Sequence, residues 1–253
     1  MEHPESKKWD VSNLFFKRTT HNGPNLVIAE GNRWKHVRKS TSTAFSATNV
    51  KLMVEQIDVI VNEWIQTVLE PTAVQQEQSG DAASPISILD EMNDITANVI
   101  AKVAFDYEFK NEERQQFLED LNTCWTEFGV EAQSNILKQI PFTAVFYPSI
   151  RKAQRAAKRM YEFCGKMLHV YRSKSDSEKK PHKLIHMIAN DEEYTDDGER
   201  QRDMMAYTIA GFDTTANTLS FALRELAMCP EEQHKLRSVL RACKNANEAR
   251  SCP

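Results

Sequence analysis

Over residues 50–69 and again over 88–103 the apolar side chains return every third or fourth position, and that spacing points to amphipathic helices. Val50, Met53, Val54, Ile57, Val61 and Trp64 draw one stripe, with Thr48 placed to cap the helix and Pro71 to end it. Residues 72–85, polar and centred on Gly80-Asp81, read as an exposed connector. Further helices are expected over 88–105, capped by Ser87, and over 112–128, 149–170 and 183–189. Residues 26–29 are the one stretch with the character of a short strand. The chain has only 7 glycines and neither a G-x-G-x-x-G nor a G-x-x-x-x-G-K-S/T motif, which disfavours turn-rich β folds and phosphate-cradling loops. The fold class is all-α.

The last long element is expected over residues 199–228, where Pro230 stops it; roughly 29 residues at ~1.5 Å each span ~43 Å. Because residues 204–226 are apolar or small on nearly every side, this helix should lie at the centre of the others. Its Ala210-Gly211-Phe212-Asp213-Thr214-Thr215 string is unusual for a purely structural helix. Glycine costs about 1 kcal/mol relative to alanine, the threonines can bond back to preceding carbonyls, and a carboxylate among apolar neighbours needs a partner or water. The competing explanation is a helix end, with Gly211 as a cap and Asp213-Thr214 opening a new helix. Upstream, Trp34 and Arg38 are four residues apart and so share a helix face. An indole N–H beside a guanidinium fork can hold an anion, although a core tryptophan beside a surface arginine has the same spacing. Arg151, Lys152, Arg155, Lys158 and Arg159 also fall on one face, read as solvated, with a membrane-surface or anionic-partner patch as the alternative.

Together these strings resemble a family. Glu30-Gly-Asn-Arg-Trp-Lys-His-Val-Arg-Lys39 with Thr43-Ala-Phe-Ser46 looks like the third long helix of the cytochrome P450 family of haem-thiolate monooxygenases. Asp94 to Phe105 resembles the family's next core helix, Ile209 to Leu219 its oxygen-activating helix, and Cys229 to Arg237 the turn and helix after it. The resemblance implies a haem cofactor, dioxygen, an apolar small-molecule substrate and a reductase that supplies electrons. By the same resemblance Trp34 and Arg38 contact the haem propionates, Ala210 and Gly211 border the cofactor, with Gly211 leaving room for dioxygen, and Phe212 borders the substrate pocket. Thr214 then hydrogen-bonds the bound oxygen, and Asp213 brings the protons for O–O cleavage.

The family's thiolate ligand sits in an F-x-x-G-x-x-x-C-x-G loop, and this sequence has no glycine after Gly211. No cysteine in it carries that motif. The family's E-x-x-R helix is missing as well: Glu30/Arg33 and Glu199/Arg202 fit the pattern but precede the oxygen helix, and they read as chance. The expectation is therefore a single partial domain, 1–253, family-like over about 23–237 and followed by an aberrant tail, 238–253. On its own such a chain would be inactive. The alternative is a non-catalytic truncated helical protein that binds no haem stably.

Other classes have less behind them. A net charge of −4, from 36 acidic and 32 basic residues, gives no field to recruit nucleic acid. Cys124, Cys164, Cys229, Cys243 and Cys252 form no C-x-x-C pair, which argues against disulfide scaffolds and zinc ribbons and for a reducing setting. His182 and His186 are spaced like metal ligands, but Lys183 stands where a zinc protease needs glutamate, so they read as a solvated pair. Glu231/His234 lies in an expected surface turn and alone cannot make a di-iron bundle. Neither a signal peptide nor a membrane anchor is found, so an intracellular location is expected, at the endoplasmic reticulum membrane if a longer form carries an N-terminal anchor.

Overall fold

The computed structural model describes residues 10–21, 23–79, 86–131 and 146–243. Its helices are α1 (Asp10–Thr19), α2 (Gly31–Ser42), α3 (Ala47–Trp64), α4 (Glu70–Ser79), α5 (Ile88–Phe105), α6 (Asn111–Cys124), α7 (Pro148–Arg172), α8 (Leu184–Asn190), α9 (Asp197–Met228) and α10 (Pro230–Ala242). No strand occurs among the described residues. Residues 26–28, the candidate strand, form a turn instead: Asn25 Oδ1 accepts from the backbone N–H of Val27 (2.9 Å) and of Ile28 (3.3 Å), a local bond that competes with extended pairing.

α5 runs over the residues that its apolar spacing marks, and Ser87 holds its cap position without a side-chain cap bond. α3 departs from expectation at both ends. Ser46, not Thr48, caps it, accepting from Asn49 N at 3.3 Å, and the helix does not stop at Pro71. A π-helical turn, Ile65–Leu69, follows α3, and Glu70 N reaches back five residues to Ile65 O. That wider turn places Pro71 in the first turn of α4, where a missing N–H leaves nothing unpaired. The connector expected from residue 72 is thus helical to Ser79, and residues 80–85 lie outside the described residues.

α7 shows why a basic helix can still build a core: Ile150, Ala153, Ala157, Met160, Cys164, Met167, Leu168 and Tyr171 are buried at three-four spacing, while Arg151, Lys152, Arg155, Lys158 and Arg159 are exposed. α9 packs along α5 and α7, and α6 lies beside α7. Only its first half is the central helix expected. Met204, Met205, Ile209, Phe212 and Ala216 are buried, but Phe221 is 63% and Met228 62% exposed, because α5, α7 and α8 cover α9 only as far as its middle. No helix among the described residues is long and apolar enough to cross a membrane.

Two local readings change at the junction of α5 and α8. Lys183 is almost fully buried; its Nζ donates to Gln56 Oε1 (2.7 Å) and to the Lys102 carbonyl and pairs with Asp106 Oδ1 (3.2 Å), so it ties α3 and α5 to the start of α8. The histidines beside it are not a solvated pair: both are half-buried, His182 precedes the helix, and His186 Nδ1 is 2.6 Å from the Tyr171 hydroxyl. Glu231 and His234 lie on helix α10 rather than in a turn. Burial pushes the thiols of Cys124, to about 12, and of Cys164 upward, which leaves both protonated and inert.

Candidate functional site

α2 starts at Gly31, whose φ of +59° suits glycine, and buries Val37 and Thr41. Beside that buried face lie Trp34, half-buried, and Arg38, exposed, with the guanidinium 5.4 Å from the centre of the indole. Among the described residues neither the indole N–H nor the guanidinium has a hydrogen-bond or ion-pair partner. Two adjacent free donors, one charged, form a site for a carboxylate.

The rest of α2 is firmly anchored. His36 Nε2 lies 2.8 Å from Asp191 Oδ2 and its Nδ1 2.9 Å from Glu193, while Arg33 Nη2 pairs with Asp203 (3.3 Å) and Glu199 (3.6 Å). The chance E-x-x-R arginine therefore pairs with the glutamate of the other copy of the pattern. Thr41 gives its proton to Val37 O (2.6 Å), so the 2.7 Å contact between Thr41 Oγ1 and the Tyr207 hydroxyl has Tyr207 as donor. Burial pushes that phenol up to about 12, while Arg38 pulls it the other way. Tyr207 lies one turn before Gly211, and its bond sets α2 against the middle of α9.

α9 runs unbroken through Gly211, which removes the helix-end alternative. Thr214 Oγ1 donates to Ala210 O and Thr215 Oγ1 to Gly211 O, both at 2.8 Å. Ala210 and Thr214 are exposed on one face. With its proton on Ala210 O, the Thr214 hydroxyl turns lone pairs outward and can accept a hydrogen bond. Gly211 faces α5, where an added Cβ would come within 2.6 Å of Ile100 Cδ1, the end of a side chain that would have to shift. Phe212 is buried against Phe117, with ring centres 6.2 Å apart, and lies at the floor of a cleft.

Asp213 points into that cleft, between α5, α6 and α9, beside Asp90, Asn93, Glu119, Asn122 and Trp125. Consecutive helical residues differ by ~100°, so Asp213 and the outward Thr214 are not hand in hand; a proton passing between them needs water. Asn217 Nδ2 donates to Asp213 O (2.7 Å) and lies 3.4 Å from its carboxylate. Burial raises the Asp213 carboxyl, and the Asn217 amide opposes that. A raised acid binds its proton more tightly in the folded chain than in the unfolded one. Its contribution is therefore complete below the ordinary carboxylate range and is lost as pH rises through the raised value. Asp213→Asn is expected to have a higher urea midpoint than the parent at neutral pH, the gap closing below about pH 4. A variant less stable at neutral pH would show that the carboxylate is better solvated than its cleft implies.

The sequence reading singled out Trp34, Arg38 and the 210–214 turn but missed Tyr207, Thr41, His36 and Arg33, which position them. Nothing local marks those residues, since their partners are 155 to 170 residues away.

Helices packed around one long helix, with a free donor pair on a neighbour, define an all-helical protein. The cytochrome P450 family profile matches residues 2–247. Cytochrome P450 monooxygenase 124 of Postia placenta is 25% identical over 87% of this chain and 43% of its own length. Cytochrome P450 714A2 of Arabidopsis thaliana is 26% identical over the whole chain and 51% of its own. A crystal structure of a cytochrome P450 (CYP102L1) superposes with a TM-score of 0.72 at 19% identity, over 95% of this chain and 52% of that one. The chain belongs to the cytochrome P450 family. It spans about half the length of the curated relatives that it matches.

Proposed function

We propose that this chain contributes the distal helix and the propionate-binding helix of a haem-dependent monooxygenase that acts on an apolar small molecule with dioxygen and electrons from a reductase. The observation that carries the reading is the free donor pair of Trp34 and Arg38, set by the Tyr207–Thr41 bond against the helix that presents Ala210 and Thr214. The donor set fits haem: an indole N–H and a guanidinium suit its carboxylates, and the small Ala210 leaves α9 open to a flat ligand. When bound, the haem supplies activation of dioxygen, with a thiolate ligand favouring O–O cleavage. Thr214 would accept a hydrogen bond on that face, and Asp213, one residue before it, carries a carboxyl from which a proton could be relayed through water. No loop of the F-x-x-G-x-x-x-C form is present in these 253 residues. The second reading is a helical protein that does no chemistry by itself.

Titrating the chain with haemin separates the two. Arg38→Ala is expected to weaken binding about tenfold, the size of one charge-assisted hydrogen bond, ~1.4 kcal/mol. Under carbon monoxide the reduced complex should show no thiolate-type band. Haemin affinity that ignores Arg38 would detach α2 from the cofactor and leave the non-catalytic reading.

A further inference from the structure

The basic face of α7 is not only a solvated surface. Residues 132–161 contain six lysines and arginines and not one aspartate or glutamate. Five of these cations lie in the first half of α7, and its first turn has no acid. Cations at a helix N-terminus oppose the macrodipole, and Arg151/Arg155 at i,i+4 repel each other. This arrangement costs helix stability.

The charge faces a concavity. A cleft of about 650 Å³ opens between the C-terminal end of α1 and the start of α7, lined by Arg18, His21, Arg151, Gln154, Arg155 and Lys158, with no carboxylate in its described wall. Lys158 reaches Glu162 at 3.5 Å, an exposed pair of little strength, and Arg151 and Arg155 have no carboxylate partner among the described residues. Arg18 packs over the Phe128 ring at 5.7 Å.

We propose that this cleft is a binding site for a phosphate-bearing ligand, distinct from the α2–α9 site. Arg151 and Arg155, which have no carboxylate partner among the described residues, and the weakly paired Lys158 line one side of this space; three permanent cations suit a group with at least two negative charges better than a single carboxylate, and the arginine forks match phosphate oxygens.

The test is calorimetric titration of the full chain with sodium pyrophosphate at constant ionic strength, alongside flotation with phosphatidylcholine vesicles with and without phosphatidylglycerol. The R151Q/R155Q/K158Q variant is compared with K51Q/K180Q/K235Q, which removes equal charge from exposed positions elsewhere. The cleft variant should lose affinity about tenfold or more while the control stays within about twofold. Its melting temperature should rise, because repulsion is removed, so lost binding would not reflect misfolding. Pyrophosphate binding supports a soluble ligand. Retention by the anionic vesicles alone, lost in the cleft variant, supports a phosphate presented by lipid. No binding in either arm, or equal losses in both variants, overturns the proposal.

Discussion

Asp203→Leu is expected to destabilise the chain by about 4 kcal/mol and to lower its melting temperature by roughly ten degrees. Asp203 is fully buried on α9 and accepts from Leu26 N (2.6 Å), the Tyr194 hydroxyl (2.8 Å) and Arg33 Nη2 (3.3 Å). The Arg33 guanidinium also stacks over the Tyr194 ring at 4.5 Å. One carboxylate thus joins the 26–28 turn, the segment before α9 and the start of α2. Leucine would strand a phenol and an amide in a dry place and leave Arg33 only its longer pair with Glu199 (3.6 Å), and breaking a buried pair costs ~3–5 kcal/mol. Burial holds the Asp203 carboxyl above its ordinary range despite those donors, so the network specifies geometry rather than adding large net stability. The double variant R33M/D203L should accordingly recover part of the loss. Urea denaturation of the parent, single and double variants decides it: a single-variant cost below about 1 kcal/mol would show that the three donors find water instead.

Apolar spacing was enough to place α5 and most of α7, because burial on one face repeats with the helix itself. It fails where a local exception changes the helix. Pro71 reads as a stop because its ring collides with the carbonyl four residues back, but the wide turn over Ile65–Leu69 resets that geometry before the proline arrives. Residues 26–29 look extended until the Asn25 side chain is counted as a rival acceptor for their backbone. In α9, hydrophobicity reports what Phe221 could bury, not whether another helix reaches it.

The site divides in the same way. The shared face of Trp34 and Arg38 follows from their spacing, whereas the roles of Gly211, Asp213 and Thr214 came from resemblance. The opposed directions of Asp213 and Thr214 were implicit in ~100° per residue. Tyr207 was invisible because its partner, Thr41, is 166 residues away and only the tertiary fold brings the two hydroxyls together. A motif names the groups that do chemistry, and long-range packing decides which way they point.

Phe212 is where those two sources disagree, and stability measurements separate them. By resemblance it borders the substrate pocket; in the structure it is 1% exposed, with Phe117 across the gap between α9 and α6. A side chain lining an open pocket would cost little to truncate and would mainly alter ligand preference. Phe212→Ala is instead expected to cost ~3–5 kcal/mol, because rigid helices on both sides prevent collapse of the void. Phe212→Leu keeps most of the volume and should cost under about 1.5 kcal/mol. The space left by alanine joins the cleft that holds Asp213, Asn93 and Asn122, so water can enter it and the cost should fall at the low end of that range. If alanine costs under about 1 kcal/mol, the ring belongs to a wet pocket wall, and its place is the one that the resemblance implies.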